Sequence, residues 1–121
     1  MKYEYYNPVD EHKSCIYRAI SKSLNRDYNI VKKEIDTLKE ELNTDDSVLV
    51  FETYLKKYNY KIDDTKKESI ITDINYSGNN IVFCYDKDWY HMICIIDNTL
   101  YDKYDLYKLK DLKIIKIYTK D

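Results

Sequence analysis

The chain has 121 residues, with 20 Lys and Arg against 22 Asp and Glu and a formal net charge of -2. That length fits a single domain, 1–121, with one core, and a hydrophobic content of 44% argues against a disordered chain. The charges are interspersed, so no basic face for nucleic acid stands out, and no apolar run reaches the roughly 20 residues of a membrane span.

Residues 1–13 are polar and rich in tyrosine, and Pro8 discourages an early helix. Tyr3, Tyr5 and Tyr6 are expected to pack over the helices, with a partner-binding patch as the other reading. The first helix is predicted over Cys15–Leu24, with Ser14 as N-cap and Ile16, Ala19, Ile20 and Leu24 along one apolar face. Residues 25–29 read as a turn, with Asn29 capping a second helix whose apolar face is Val31, Ile35, Leu38 and Leu42. Asp46 or Ser47 then caps a third helix, with Val48, Phe51, Leu55 and Tyr58 as its buried face.

After Tyr58 the pattern changes to strands. Residues 60–62 predict a short strand, and Ser77-Gly78-Asn79-Asn80 a turn. "IVFCY" at 81–85 and "YHMICII" at 90–96 predict two strands joined by a turn at 86–89. Asp97-Asn98 is a tight hairpin turn returning the chain through residues 99–102. Residues 112–119 alternate apolar residues with lysines, as an edge or half-buried strand does; an exposed edge there could pair in a dimer, although its lysines oppose that. The expected architecture is α+β, with a helical part at about 14–58 packed on a small antiparallel sheet at about 60–119.

Three cysteines, an odd number, together with no recognisable export signal predict reduced thiols in a cytoplasmic protein. The single Gly and the 15 Tyr look like AT-rich coding, which suggests a bacterial cytosol or a phage-infected host cell.

The polar residues fall on this scaffold in a suggestive way. A cysteine opening a helix is either a small core residue or a nucleophile whose thiolate the helix N-terminus favours. His91, Ile93 and Ile95 share one face of their strand. If residues 97 and 98 form a two-residue turn, Ile93 pairs with Asp102, which places Asp102 diagonal to His91 and within hydrogen-bond reach. Cys15, His91 and Asp102 would then supply nucleophile, base and orienting carboxylate. Asp105 is the rival third member if the hairpin is longer.

Cys84 stands opposite His91 if Tyr85 pairs with Tyr90, and on the other face if the register slips by one. Cys94 alternates away from His91, toward the core. A zinc site from Cys15, Cys84 and His91 has no supporting Cys-x-x-Cys or His-rich spacing, so neither metal nor cofactor is expected. Arg18, one turn beyond Cys15, reads as a surface or interhelix ion pair, with binding of a substrate carboxylate as the functional alternative.

"SCIYRAISKSLN" and, far downstream, "HMICIIDNTLYDKYD" resemble the papain-like cysteine peptidase superfamily, and within it small bacterial and phage proteins, over Cys15 to Asp105. The resemblance implies a papain-like fold in reduced form. It also implies thiol-based cleavage of a peptide, isopeptide or amide bond in a peptide, protein or amide substrate, with Cys15, His91 and Asp102 as the triad. Enzymes of this kind often carry a Gln about six residues before the Cys as oxyanion donor. This chain has no Gln and places Val9 there, leaving Asn7 and His12 as substitutes. Trp89 and Tyr90 precede His91 where a small residue is usual, which predicts a narrow or closed cleft. These departures motivate an alternative: the same fold as a non-catalytic binding module, for example a phage-encoded inhibitor of a host protein.

Overall fold

The apolar runs at 81–85 and 91–96 become the middle of a sheet because their residues are buried on both sides. The structure is a computed structural model and describes residues 1–120. Among these residues the strands are β1 (Lys2–Tyr5), β2 (Tyr60–Asp63), β3 (Asn79–Asp86), β4 (Trp89–Ile96), β5 (Thr99–Asp102) and β6 (Lys113–Lys120). The helices are α1 (Cys15–Leu24), α2 (Tyr28–Leu42), α3 (Ser47–Lys57) and the one-turn α4 (Leu106–Leu109). The fold is α+β, with one six-stranded sheet in the order β1-β5-β4-β3-β6-β2.

The sheet is mixed, where an antiparallel one was expected. β1 runs parallel to β5, with Lys2 opposite Thr99 and Tyr5 opposite Asp102. Of the two readings of 112–119, the half-buried strand holds and the edge does not. β6 pairs with β3 on one side and β2 on the other, so its backbone groups are already engaged and no dimerising edge exists there. Its lysines sit on an interior strand because their long side chains reach outward: Lys116 Nζ meets Glu52 at 3.0 Å.

α1, α2 and α3 cover one face. Ala19, Ile20, Val31, Ile35, Val50, Phe51, Tyr54 and Leu55 pack there with Ile81, Met92, Cys94 and Tyr118 from the strands. The other face buries Val82, Cys84, Ile93, Ile95, Leu100 and Ile114 beneath Ile71, Tyr76, Leu109 and Leu112. Burial on both faces is why β3 and β4 carry apolar runs instead of simple alternation.

The helix ends correct the cap of α2 and bear out Asp46 for α3. Asp27, not Asn29, caps α2 by accepting from Ile30 N–H, and Asp46 caps α3 by accepting from Leu49 N–H. On α3, Tyr54 and Val50 are buried, while Val48 is on the surface. Leu42 is also exposed at the end of α2. Asn25 and Asn43 end their helices in the left-handed conformation, which asparagine tolerates better than most residues. The three early tyrosines part company: Tyr6 reaches Ser21 Oγ on α1, Tyr3 packs with the opposite face, and Tyr5 is exposed.

Candidate functional site

Two local features bring His91 and Asp102 together. Asp97 and Asn98 both take positive φ, 48° and 63°, which matches the turn to the twist of the strands it joins. Ile96 therefore pairs with Thr99 and Cys94 with Tyr101. Continuing this register sets Asp102 across from Ile93 and diagonal to His91. The result is a hydrogen bond of 2.8 Å between His91 Nε2 and Asp102 Oδ2, with both side chains almost fully buried. The carboxylate accepts, so Nε2 carries the proton and Nδ1 remains for another partner.

That partner is Cys15. Its thiol hydrogen-bonds the His91 side chain and also receives the backbone N–H of Met92. The second contact follows from where β5 stops. N–H groups of β4 point alternately to either side, and those of Ile96, Cys94 and Met92 face β5. β5 ends at Asp102, so the start of α1 occupies the place beside Met92 where a longer strand would lie.

Burial by itself pushes the Cys15 thiol up. The His91 hydrogen bond and charge, the Met92 N–H and the Arg18 guanidinium outweigh it, and the thiol lies below its ordinary value. Burial also works against the charged form of His91. Its bonds to Asp102 and Cys15, and their charges, win and hold the imidazole above its ordinary value. Opposite shifts of this kind favour a thiolate beside an imidazolium.

The other cysteines behave differently. Cys84 pairs with His91 across β3 and β4, and its thiol contacts the His91 carbonyl oxygen at 3.3 Å. Burial, with Asp102 and Cys15 adding to it, keeps its thiol well above the ordinary value. Cys94 is buried among the helices and pushed up to about 12 by that burial. All three cysteines are free. Among the described residues, no group of three or more His, Cys, Asp or Glu is placed to hold a metal ion.

His91 is enclosed by aromatic rings. Trp89 stacks on it at 4.6 Å and 22°, and Tyr104 meets it edge-on at 5.6 Å. Trp89 therefore covers the imidazole, and it lines the same cleft as Cys15. Tyr90 points outward and is 60% exposed. The cleft holds about 590 Å³, with Cys15, His91, Trp89 and Tyr90 on its wall and Ile35, Val50 and Phe51 among its apolar lining.

Of the possible oxyanion donors, His12 lines this cleft. Asn7 instead donates to Asp10 Oδ1 at 3.3 Å, and its own side-chain oxygen is buried without a partner. Asp105 is not the third member, because its carboxylate caps α4 by accepting from Lys108 N–H at 3.1 Å.

Sequence reasoning missed what Ser14 and Arg18 do. Ser14 precedes α1, but its hydroxyl makes no helix cap and accepts from Arg18 Nη1 at 2.9 Å. Arg18 is buried, not on the surface, and its Nε donates to Asp102 Oδ1 at 3.0 Å. One signal was available. Arg18 falls at the same helical phase as the buried Ser21 and next to Ala19, on the inward side of α1.

No protein-family model, curated protein or solved structure matches the chain. Among the described residues, no helix is long and apolar enough to cross a membrane.

Proposed function

We propose that the protein is a small cysteine hydrolase of papain-like type, acting on a peptide or amide bond. The observation that carries this reading is the connected series of half-buried Cys15 with buried His91 and Asp102, opening on a cleft. Charged and polar groups are costly to bury, and a purely structural core at this position is better served by apolar side chains. The order also fits: a thiol at the first turn of a helix, a histidine on a strand, and a carboxylate returned by the following hairpin.

The chemistry follows from the geometry. The Cys15 thiolate attacks the carbonyl carbon, forming the carbon–sulfur bond as the carbonyl electrons move onto oxygen. The N–H of Cys15, at the start of α1, lies beside that oxyanion and stabilises it, and His12 at the cleft wall is the second donor. Collapse of the tetrahedral intermediate breaks the carbon–nitrogen bond, with His91 giving its proton to the departing amine. Water then attacks the thioester, His91 takes a proton from it, and the acid product leaves with Cys15 restored. Asp102 keeps a proton on Nε2 throughout, which leaves Nδ1 facing sulfur to give and take the other.

A panel of fluorogenic peptide, isopeptide and amide substrates, run with wild type and Cys15→Ala, tests this. Turnover that disappears in Cys15→Ala supports it. Turnover equal in the two proteins overturns it. Tight stoichiometric binding of a host protein, with no turnover and no dependence on Cys15, would instead favour the non-catalytic module.

A further inference from the structure

We propose that Arg18 is a positioning residue that fixes the Asp102 carboxylate toward His91 and ties it to the segment just before the nucleophile. This rests on the hydrolase reading for its catalytic meaning, while the contacts themselves belong to the folded protein.

Arg18 is only 1% exposed. Its planar fork serves two acceptors at once: Nε donates to Asp102 Oδ1 at 3.0 Å and Nη1 to Ser14 Oγ at 2.9 Å. The first acceptor is the partner of His91. The second belongs to the residue joined covalently to Cys15. A single rigid group therefore spans the two segments whose relative placement sets the distance from sulfur to imidazole.

Every oxygen of the Asp102 carboxylate is engaged. Oδ1 accepts from Arg18, and Oδ2 accepts from His91 Nε2 and from Tyr104 N–H at 3.3 Å. Two-sided bonding stops the carboxylate from rotating, so Oδ2 stays on His91 Nε2. Without Arg18, Oδ1 is buried and unpaired, and the carboxylate turns to find another donor.

Charge gives a second reason. Thiolate, imidazolium, carboxylate and guanidinium alternate in sign along the connected series and sum to zero. Removing the guanidinium leaves a net negative cluster in a poorly solvated place, which the protein relieves by keeping the proton on sulfur. The other titratable groups near this series are Tyr3 of β1, whose hydroxyl donates to the Asp102 carbonyl oxygen, Cys84 of β3, and Tyr104, which packs on His91. The cleft adds His12, Lys13, Tyr17, Asp36, Lys39, Asp88, Tyr90 and Lys103. Removing Arg18 leaves each of these in place, so a change in the profile reports on Arg18.

The test is the pH profile of Cys15 alkylation by iodoacetamide, read by mass spectrometry, in wild type, Arg18→Lys and Arg18→Met. It is paired with nitrogen-15 NMR of the His91 ring above the alkaline limb, where the imidazole is neutral and its tautomer can be read. Arg18→Met is expected to move the acidic limb of the profile about one pH unit toward alkaline, a roughly tenfold loss of reactivity on that limb. It should also replace the single Nε2–H tautomer with a mixture. Arg18→Lys keeps the charge and loses the fork, so it should show a smaller limb shift with the same mixed tautomer. If Arg18→Met does not fold, Arg18→Lys carries the test alone. A folded Arg18 variant with the wild-type profile and a single tautomer overturns the proposal. If wild-type Cys15 alkylates as an ordinary thiol, the hydrolase reading falls, and the tautomer measurement still decides the role of Arg18.

Discussion

Along β4, one end is paired on both sides and the other on one side only. Cys94, Ile95 and Ile96 pair with β3 on one side and β5 on the other, and Cys94 and Ile95 are fully buried. At His91 the β3 ladder continues, but β5 has run out and α1 has taken its place. The backbone N–H of Met92, which a longer β5 would have used, goes to a thiol instead. The comparison teaches where a small sheet can host reactive groups. The scaffold stays rigid because one side of the strand is still paired, and the freed side supplies a donor and space.

Substitutions at the two ends should therefore separate activity from stability. The largest expected effect is Cys15→Ala, which removes the nucleophile and should abolish hydrolysis of any substrate the wild type cleaves. Cys94→Ala should leave turnover per folded molecule intact; comparing kcat/KM for the two variants checks both. Asp102→Asn keeps the shape but lets the ring adopt the wrong tautomer, and should lower kcat by on the order of 10²- to 10⁴-fold. A thermal melt of the same variant separates this from loss of the Arg18 ion pair, whose breaking costs about 3–5 kcal/mol when buried.

The pH dependence sharpens the contrast further. Hydrolysis should be bell-shaped, with an acidic limb below the ordinary thiol value, because Cys15 is lowered, and an alkaline limb above the ordinary imidazole value, because His91 is raised. The same shifts act on stability with opposite signs. The raised His91 contributes in full below the ordinary imidazole value and loses that contribution as pH climbs through its folded value. The lowered Cys15 contributes in full above the ordinary thiol value and loses it as pH falls through its folded value. Urea titrations of wild type and Cys15→Ala across this range should show the second contribution only in wild type.

At the end paired on both sides, Ile95→Ala should cost about 2–5 kcal/mol of unfolding free energy as a core truncation and leave Cys15 alkylation of folded protein unchanged. The smallest effect expected is Ser14→Ala. It cuts the far arm of Arg18 but keeps its charge and its contact with Asp102, so stability should fall by about 1 kcal/mol with alkylation altered by less than about threefold.

How much of this was legible in the sequence depended on how local each feature is. The span of α1, the Asp97-Asn98 turn and the diagonal placement of Asp102 all rest on short-range periodicity, and the structure has them as read. The pairing of Cys84 with His91 also agrees with the register that joins Tyr85 to Tyr90. The four-residue β1 was missed because it exists only by pairing with β5, nearly a hundred residues away. β6 looked like an edge because its lysines signal solvent, yet β2 covers that edge. Arg18 was read by residue type, which assigns arginine to the surface. Its burial is decided by an acceptor that arrives from the far end of the chain.

That separation has a consequence for how the protein is made. His91 and Asp102 lie 11 residues apart and meet within one hairpin, whereas Arg18 and Asp102 are 84 apart. The helices leave the ribosome long before the hairpin does. A nascent chain therefore carries Cys15 without His91 or Met92 beside it, and the thiol is lowered only when the later strands close the chain upon it.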